Sequence, residues 1–112
     1  MRITVETLPE SKGALILIDS EHLDAGNIKT FKEQISPTLN SFDNVLIDMS
    51  KLTFVDSSGL GALLSCLRTM NSKTGQLKLY SMAKPVRALF ELVRMHRIFS
   101  IYNNRDEALA AL

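Results

Sequence analysis

The chain has 112 residues, 46% hydrophobic and 22% charged, the composition of an ordinary soluble single domain. Thirteen Lys and Arg against twelve Asp and Glu give a net charge of +1, so no overall excess of charge favours nucleic acid or an anionic membrane. Apolar runs such as Ala14–Ile18 are far shorter than the ~20 residues of a membrane-spanning helix, and the first residues do not resemble a secretory signal. One cysteine, Cys66, excludes an internal disulfide and is typical of a reducing cytoplasm.

The first third of the chain predicts a hairpin followed by a helix. Ile3–Leu8 alternates with period two and predicts a half-exposed strand that Pro9 closes. A turn at Ser11–Gly13 leads into the apolar run Ala14–Ile18, and two strands this close predict a hairpin. Helical spacing then predicts a helix whose last turn Pro37 disturbs. The apolar positions of that helix are Ile28, Phe31, Ile35 and Leu39.

Strands and helices alternate one for one through the remainder of the chain, which is typical of a parallel-rich sheet with helical crossovers. The predicted elements are a strand Val45–Met49 that resumes, after a brief break, at Leu52–Val55, a helix from Ser57 that Gly75 ends, a strand Leu77–Tyr80, a helix opening at Lys84-Pro85 with the apolar stripe Val86, Leu89, Phe90 and Val93, a strand Ile98–Tyr102 and a helix Arg105–Leu112. We therefore expect one α/β domain over 1–112, with a four- or five-stranded mixed sheet and helices packed mainly on one face.

One stretch of the sequence carries chemistry, at the point where a buried strand becomes a helix. Asp56, Ser57 and Ser58 are all suited to cap the helix, because their side-chain oxygens accept hydrogen bonds from its first N–H groups. Gly59 and Gly61 lower helix propensity by roughly 1 kcal/mol each, which is expected where another surface approaches the backbone closely. A hydroxyl here also lies at the positive end of the helix dipole, which tolerates added negative charge.

Capping is the simplest role for Ser57, and two sharper roles fail on spacing. A phosphate-binding loop needs a longer glycine spacing that ends in Lys and Ser or Thr. A serine nucleophile needs a glycine two positions earlier, where this chain has Val55. His22 and His96 lie far apart with no companion at ligand spacing, so we expect no metal. We also expect no cofactor and, without a nucleophile motif and its base, no catalytic residue. The sequence thus favours a binding domain over an enzyme.

The order of these elements, and above all Asp56-Ser57-Ser58-Gly59-Leu60-Gly61, resembles the STAS domain of bacterial anti-sigma factor antagonists. In that family the first serine after the aspartate is phosphorylated by an anti-sigma factor with serine kinase activity. The resemblance therefore implies phosphorylation at Ser57, with Ser58 as the neighbouring alternative. Leu23-Asp24 matches the end of the family's Gly-Glu-Leu-Asp segment, whereas Glu21-His22 replaces its Gly and Glu.

The resemblance also implies partners and a cycle. The unphosphorylated domain would bind the anti-sigma factor and so release the sigma factor. The phosphorylated domain would dissociate from the anti-sigma factor, and a metal-dependent serine phosphatase would remove the phosphate. The expected partner-binding residues are Asp24, Asp56, Ser58, Gly59, Leu60 and Gly61. We expect a cytoplasmic protein that binds no nucleic acid and does not insert into a membrane. The alternative is a STAS-like subunit of another signalling assembly or of a transporter-associated complex.

Three aspartates lie at or near strand ends. If their strands are parallel neighbours, Asp24, Asp48 and Asp56 are expected to gather close to Ser57, where they would contact a partner or shape the acceptor site.

Overall fold

In the part of the chain that the structure describes, seven strands and four helices follow the predicted order with local differences. The computed structural model describes residues 1–8, 10 and 13–112, so the predicted turn at Ser11–Gly13 and the predicted closure by Pro9 fall largely outside the described residues. The elements are β1 (Arg2–Leu8), β2 (Gly13–Asp19), β3 (His22–Leu23), α1 (Ile28–Ser41), β4 (Asn44–Asp48), β5 (Phe54–Val55), α2 (Ser57–Ser72), β6 (Gln76–Tyr80), α3 (Lys84–Leu92), β7 (Ser100–Tyr102) and α4 (Arg105–Ala110), with a 3-10 turn at Met95–Arg97.

Five of the strands form one mixed sheet in the order β1-β2-β4-β6-β7. β1 runs antiparallel to β2, as the predicted hairpin requires, and the remaining three pairs are parallel. Each parallel pair is joined by a helix, because a chain that returns to start a parallel strand needs a crossover. This confirms the predicted mixed sheet, for which four or five strands were expected.

The helices cover the two faces of the sheet unequally. Phe31 of α1, Leu63 of α2 and Phe90 of α3 are fully buried in the main core, on the sheet face that carries Ile16 and Ile47. On the opposite face, α4 packs through Ala108 over a smaller cluster that includes Leu8, Leu15, Leu46 and Tyr80. Side chains alternate across a strand, which is why neighbouring residues of β2 and β4 serve different cores. The prediction that helices pack mainly on one face is confirmed.

Several element ends differ from the prediction for local reasons. α2 ends at Ser72 because Thr74 takes a left-handed conformation, with φ 58°, before Gly75. Arg94, with φ 61°, likewise ends α3 early, so Val93 leaves the predicted apolar stripe and is 45% exposed. α1 instead runs through Pro37 to its end, so the predicted disturbance does not stop the helix.

Candidate functional site

Two short strands outside the main sheet position the site. β3 and β5 form a parallel pair in which Leu23 lies opposite Val55. The sequence did not predict β3, and the predicted strand Leu52–Val55 shortens to β5. Because parallel strands end at the same edge, the residues that follow them, Asp24 and Asp56, come next to each other. Two turns far apart in sequence thereby meet at the start of α2.

Asp56 joins these two turns through its carboxylate. Its Oδ1 accepts a hydrogen bond from the backbone N–H of Gly59 at 2.9 Å, which caps α2. Its Oδ2 accepts from the backbone N–H of Ala25 at 3.0 Å, in the turn that follows β3. The Gly59 N–H bond is the main reason that the pKa of Asp56 is lowered; burial opposes it, and the N–H groups of Ala25 and Ser58 lower the pKa further. Asp56 is therefore an ionised cap that also fixes the neighbouring turn.

Ser57 does not cap the helix, so the simplest role considered for it is wrong. It is the first residue of α2, it is exposed, and its hydroxyl makes no hydrogen bond with any residue that the structure describes. Asp56 has taken the capping position, which leaves the Ser57 hydroxyl available to an incoming group. Ser58, beside it, is half-buried.

Gly59 is required by packing within the domain. It is buried, and an added Cβ would overlap the carbonyl oxygen of Leu23 and lie 2.8 Å from Cγ1 of Val55. The expectation that this glycine makes room for a partner is thus corrected: the surface that approaches it is the β3–β5 pair of the same chain. Leu60 is also corrected as a partner contact, because its side chain lies in the main core and is only 8% exposed.

Gly61 and Phe54 are exposed positions within four residues of Ser57 along the chain. Of the residues that the structure describes, none comes within 4 Å of a Cβ added at Gly61, so this position fits the predicted open first turn. Phe54 is 54% exposed although it belongs to β5, because its neighbour Val55 takes the inward position of the strand. Sequence reasoning missed Phe54, since an apolar residue in a predicted apolar strand gives no sign of which face it occupies.

Asp24 closes the turn between β3 and α1. Its Oδ1 accepts from the backbone N–H of Gly26 at 2.9 Å, and its Oδ2 lies 3.0 Å from Nδ1 of His22. Asn27 accepts at Oδ1 from the N–H of Asp24 and donates from Nδ2 to the carbonyl of His22. His22, which the sequence placed in no site, is therefore part of a hydrogen-bonded turn next to Asp56.

Asp48 does not join the other two aspartates, so the expected group of three is reduced to a pair. It lies on the opposite face of the sheet, where it lines a cavity of about 330 Å³ together with Glu6 and Arg105. Burial, with the Asp48 charge as a smaller cause, raises the pKa of the neighbouring Tyr80 to about 12. The side-chain alternation of β4 turns Asp48 away from Ser57.

The two segments that form the site contain acidic residues and no basic ones. Residues 20–26 and 54–61 carry the carboxylates of Glu21, Asp24 and Asp56 and no Lys or Arg. In the described part of the chain, no group of three or more His, Cys, Asp or Glu side chains is placed to hold a metal ion. No helix in the described ranges is both long and apolar enough to cross a membrane.

The fold and the site together define a small mixed α/β domain that presents an exposed serine at the start of a helix, directly after its capping aspartate. The chain belongs to the STAS domain family, whose model matches residues 7–108. The recognition made from the sequence is thus confirmed. The anti-sigma F factor antagonist of Paenibacillus polymyxa is 27% identical over 114 residues, which cover 100% of this chain and 97% of that protein.

Solved structures support the same fold. The anti-sigma factor antagonist SpoIIAA in its unphosphorylated form has a TM-score of 0.76 at 20% identity and covers 96% of this chain and 93% of its own. Bacillus SpoIIAA in the phosphorylated form has a TM-score of 0.71 at 19% identity, with 98% of both chains covered. The murine anion transporter Slc26a9 matches 89% of this chain with 17% of its own length, at 19% identity and a TM-score of 0.76. At these identities the likeness is one of fold.

Proposed function

We propose that this chain is an anti-sigma factor antagonist whose binding is switched by phosphorylation of Ser57. The observation that carries the proposal is the exposed hydroxyl of Ser57, which follows the capping Asp56 directly and makes no hydrogen bond within the described residues. The name of the Paenibacillus polymyxa relative supports the role, and the solved forms of SpoIIAA with and without phosphate support the chemistry of the switch.

The unphosphorylated domain docks on its partner with the surface around Ser57. Phe54 supplies an exposed apolar anchor, and aromatic residues are frequent among the few that dominate binding energy. The backbone at Gly61 lets the partner approach the first turn of α2 closely. Ser58 and the Asp24 turn complete the contact. An anti-sigma factor held on this surface releases its sigma factor.

Phosphorylation reverses this docking by electrostatics. The partner's kinase site supplies ATP and Mg²⁺, and the Ser57 oxygen takes the terminal phosphoryl group while ADP leaves. The phosphate adds about −1.5 to −2 charges beside Asp24 and Asp56. In water the helix dipole attracts this charge and the neighbouring carboxylates repel it. The two energies are of similar size and nearly cancel, so the free domain stays folded. When a partner covers the phosphate, the charge is removed from water without an opposite charge to pair with. This desolvation is unfavourable, so binding fails. A metal-dependent serine phosphatase restores the hydroxyl.

Intact-mass measurement tests the proposal. Each candidate serine-kinase anti-sigma factor of the source organism is purified and incubated with the domain, ATP and Mg²⁺. We expect one phosphate on the wild type and on Ser58→Ala, and none on Ser57→Ala. Phosphate that persists on Ser57→Ala would contradict the assignment of the acceptor, and a domain that none of these kinases binds or modifies would contradict the switch.

A subunit of a different assembly is the second candidate, and the fold likeness to a segment of Slc26a9 favours it. In that case the domain would bind a membrane transporter and not an anti-sigma factor. The same set of purified anti-sigma factors separates the two, because this candidate predicts neither binding nor modification by any of them.

A further inference from the structure

The outer edge of β1 is an open strand edge. The backbone N–H of Ile3 donates to Oε1 of Gln34 at 3.2 Å, so Ile3 turns its backbone groups away from β2. In an antiparallel ladder every second residue does the same, which places the backbone groups of Val5 on this edge as well. The groups of Val5 have no partner in residues 1–8, 10 or 13–112, and its side chain is 43% exposed.

We propose that a second copy of this chain pairs with this edge, antiparallel, about a two-fold axis at Thr4. In this register Ile3 lies opposite Val5 of the second copy, and Thr4 lies opposite its own counterpart. Both Ile3 and Val5 turn their backbone groups outward, so each such pair exchanges two hydrogen bonds. The symmetry doubles this to four, and the two sheets become one.

The charges of β1 single out this register. It brings Arg2 opposite Glu6 of the second copy, twice, on the sheet face that also carries Thr4. Arg2 and Glu6 of the second copy form a pair without backbone hydrogen bonds between them. In antiparallel sheets the side chains of such non-hydrogen-bonded pairs lie closest together. In the described residues Arg2 forms no ion pair, while Glu6 meets Arg105 only through Oε2, at 2.7 Å. An axis at Val5 would keep the backbone pattern but would place Arg2 opposite Leu8.

Gln34 limits the association. Its side chain occupies the Ile3 N–H, which has to exchange this bond for the carbonyl of Val5 in the second copy. The other outward groups of Ile3 and Val5 need no such exchange. Removal of the Gln34 amide therefore favours the dimer.

Charge-reversal variants test the register. Their dimer dissociation constants are measured by sedimentation equilibrium from about 10 μM to about 1 mM protein. We expect the wild type to dimerise in this range, and Arg2→Glu and Glu6→Lys each to weaken dimerisation on the order of ten-fold, because like charges then face each other. An equimolar mixture of the two variants restores the dimer, since position 2 of each copy then faces a residue of opposite charge at position 6 of the other. Both positions are exposed, and circular dichroism confirms that the variants fold.

Two further variants complete the design. Arg97→Glu, in the 3-10 turn beside the opposite edge strand β7, makes the same change of charge and leaves dimerisation unchanged. Gln34→Ala tightens the dimer. A wild type that stays monomeric throughout, a mixture that dimerises no better than its components, or a Gln34→Ala protein that dimerises less would each overturn the proposal.

Discussion

The backbone N–H of Ala25 donates to Oδ2 of Asp56 at 3.0 Å, across a separation of 31 residues. This bond connects the turn before α1 with the cap of α2, so one carboxylate holds both sides of the surface around Ser57. The other oxygen of the same carboxylate caps the helix. Changes at Asp56 therefore act on the helix and on the neighbouring turn together.

Replacement of Asp56 tests the cap. We expect Asp56→Ala to lower the melting temperature by roughly 4–8 °C and Asp56→Asn to lower it less, because asparagine also caps helices. Asp106→Ala, in the first turn of α4 but not at its cap, serves as the control and changes the melting temperature little. Equal losses for Asp56→Ala and the control would contradict the capping role.

The stability that Asp56 contributes depends on pH in a defined direction. The folded-state pKa of Asp56 is lowered from 3.8, so its contribution is complete above the unfolded value and is lost as pH falls through the folded pKa. The difference in stability between wild type and Asp56→Ala should be constant above about pH 5 and shrink below 3.8. Urea denaturation at a series of pH values measures it. A difference that is unchanged at about pH 2 would exclude a charged cap.

The two glycines of α2 should respond in opposite ways to alanine. Gly59→Ala forces a methyl group into the backbone of Leu23, and overpacking of this kind costs about 1–3 kcal/mol. Gly61→Ala meets nothing and gains helix propensity of roughly 0.5–1 kcal/mol. Thermal unfolding of both variants measures the contrast. If Gly59→Ala were as stable as wild type, the close packing of β3 on α2 would be wrong.

Gly61 also allows a test of docking with a larger side chain. Gly61→Leu should leave the free domain folded, because the position is open, but abolish binding of the anti-sigma factor by filling the space that the partner uses. Isothermal titration calorimetry with the partner from the phosphorylation assay measures this, with Gly61→Ala as the smaller control. Wild-type affinity in Gly61→Leu would place docking elsewhere.

Phe54 should matter for binding and little for stability. It is 54% exposed, so Phe54→Ala is expected to change stability by no more than about 0.5 kcal/mol while it weakens partner binding roughly ten-fold or more. Leu92→Ala is the matched control, since Leu92 is 79% exposed at the far end of α3. Equal effects of the two substitutions on affinity would remove Phe54 from the docking surface.

A charge at Ser57 should separate folding from binding. Ser57→Asp, which carries less charge than a phosphate, is expected to keep its melting temperature within a few degrees and to bind the anti-sigma factor roughly 100-fold more weakly, a penalty of about 3 kcal/mol. Ser57→Ala should stay folded, keep binding and resist modification. The switch fails as an explanation if both Ser57→Asp and the phosphorylated protein bind as tightly as the wild type.

The sequence by itself determined the features that depend on near neighbours along the chain. Alternation in β1 and helical spacing in α1 and α2 are local patterns, so the hairpin, the mixed sheet and the order of all elements except β3 were predicted correctly. Cys66 is buried on α2, and burial raises the pKa of its thiol to about 12. The STAS resemblance rested on the order of elements and above all on one contiguous motif, which are also local features of the chain.

Only the tertiary structure decided how distant segments meet. Nothing local in a two-residue strand indicates its partner, so the pairing of β3 with β5 could not be predicted, nor the bond from Ala25 to Asp56 that depends on it. This pairing also explains why residue 59 is a glycine: the group that approaches its backbone is the carbonyl of Leu23, and not an external surface. Which side of a strand faces water is set by the element packed against it, and this placed Phe54 on the surface and Asp48 on the far face of the sheet.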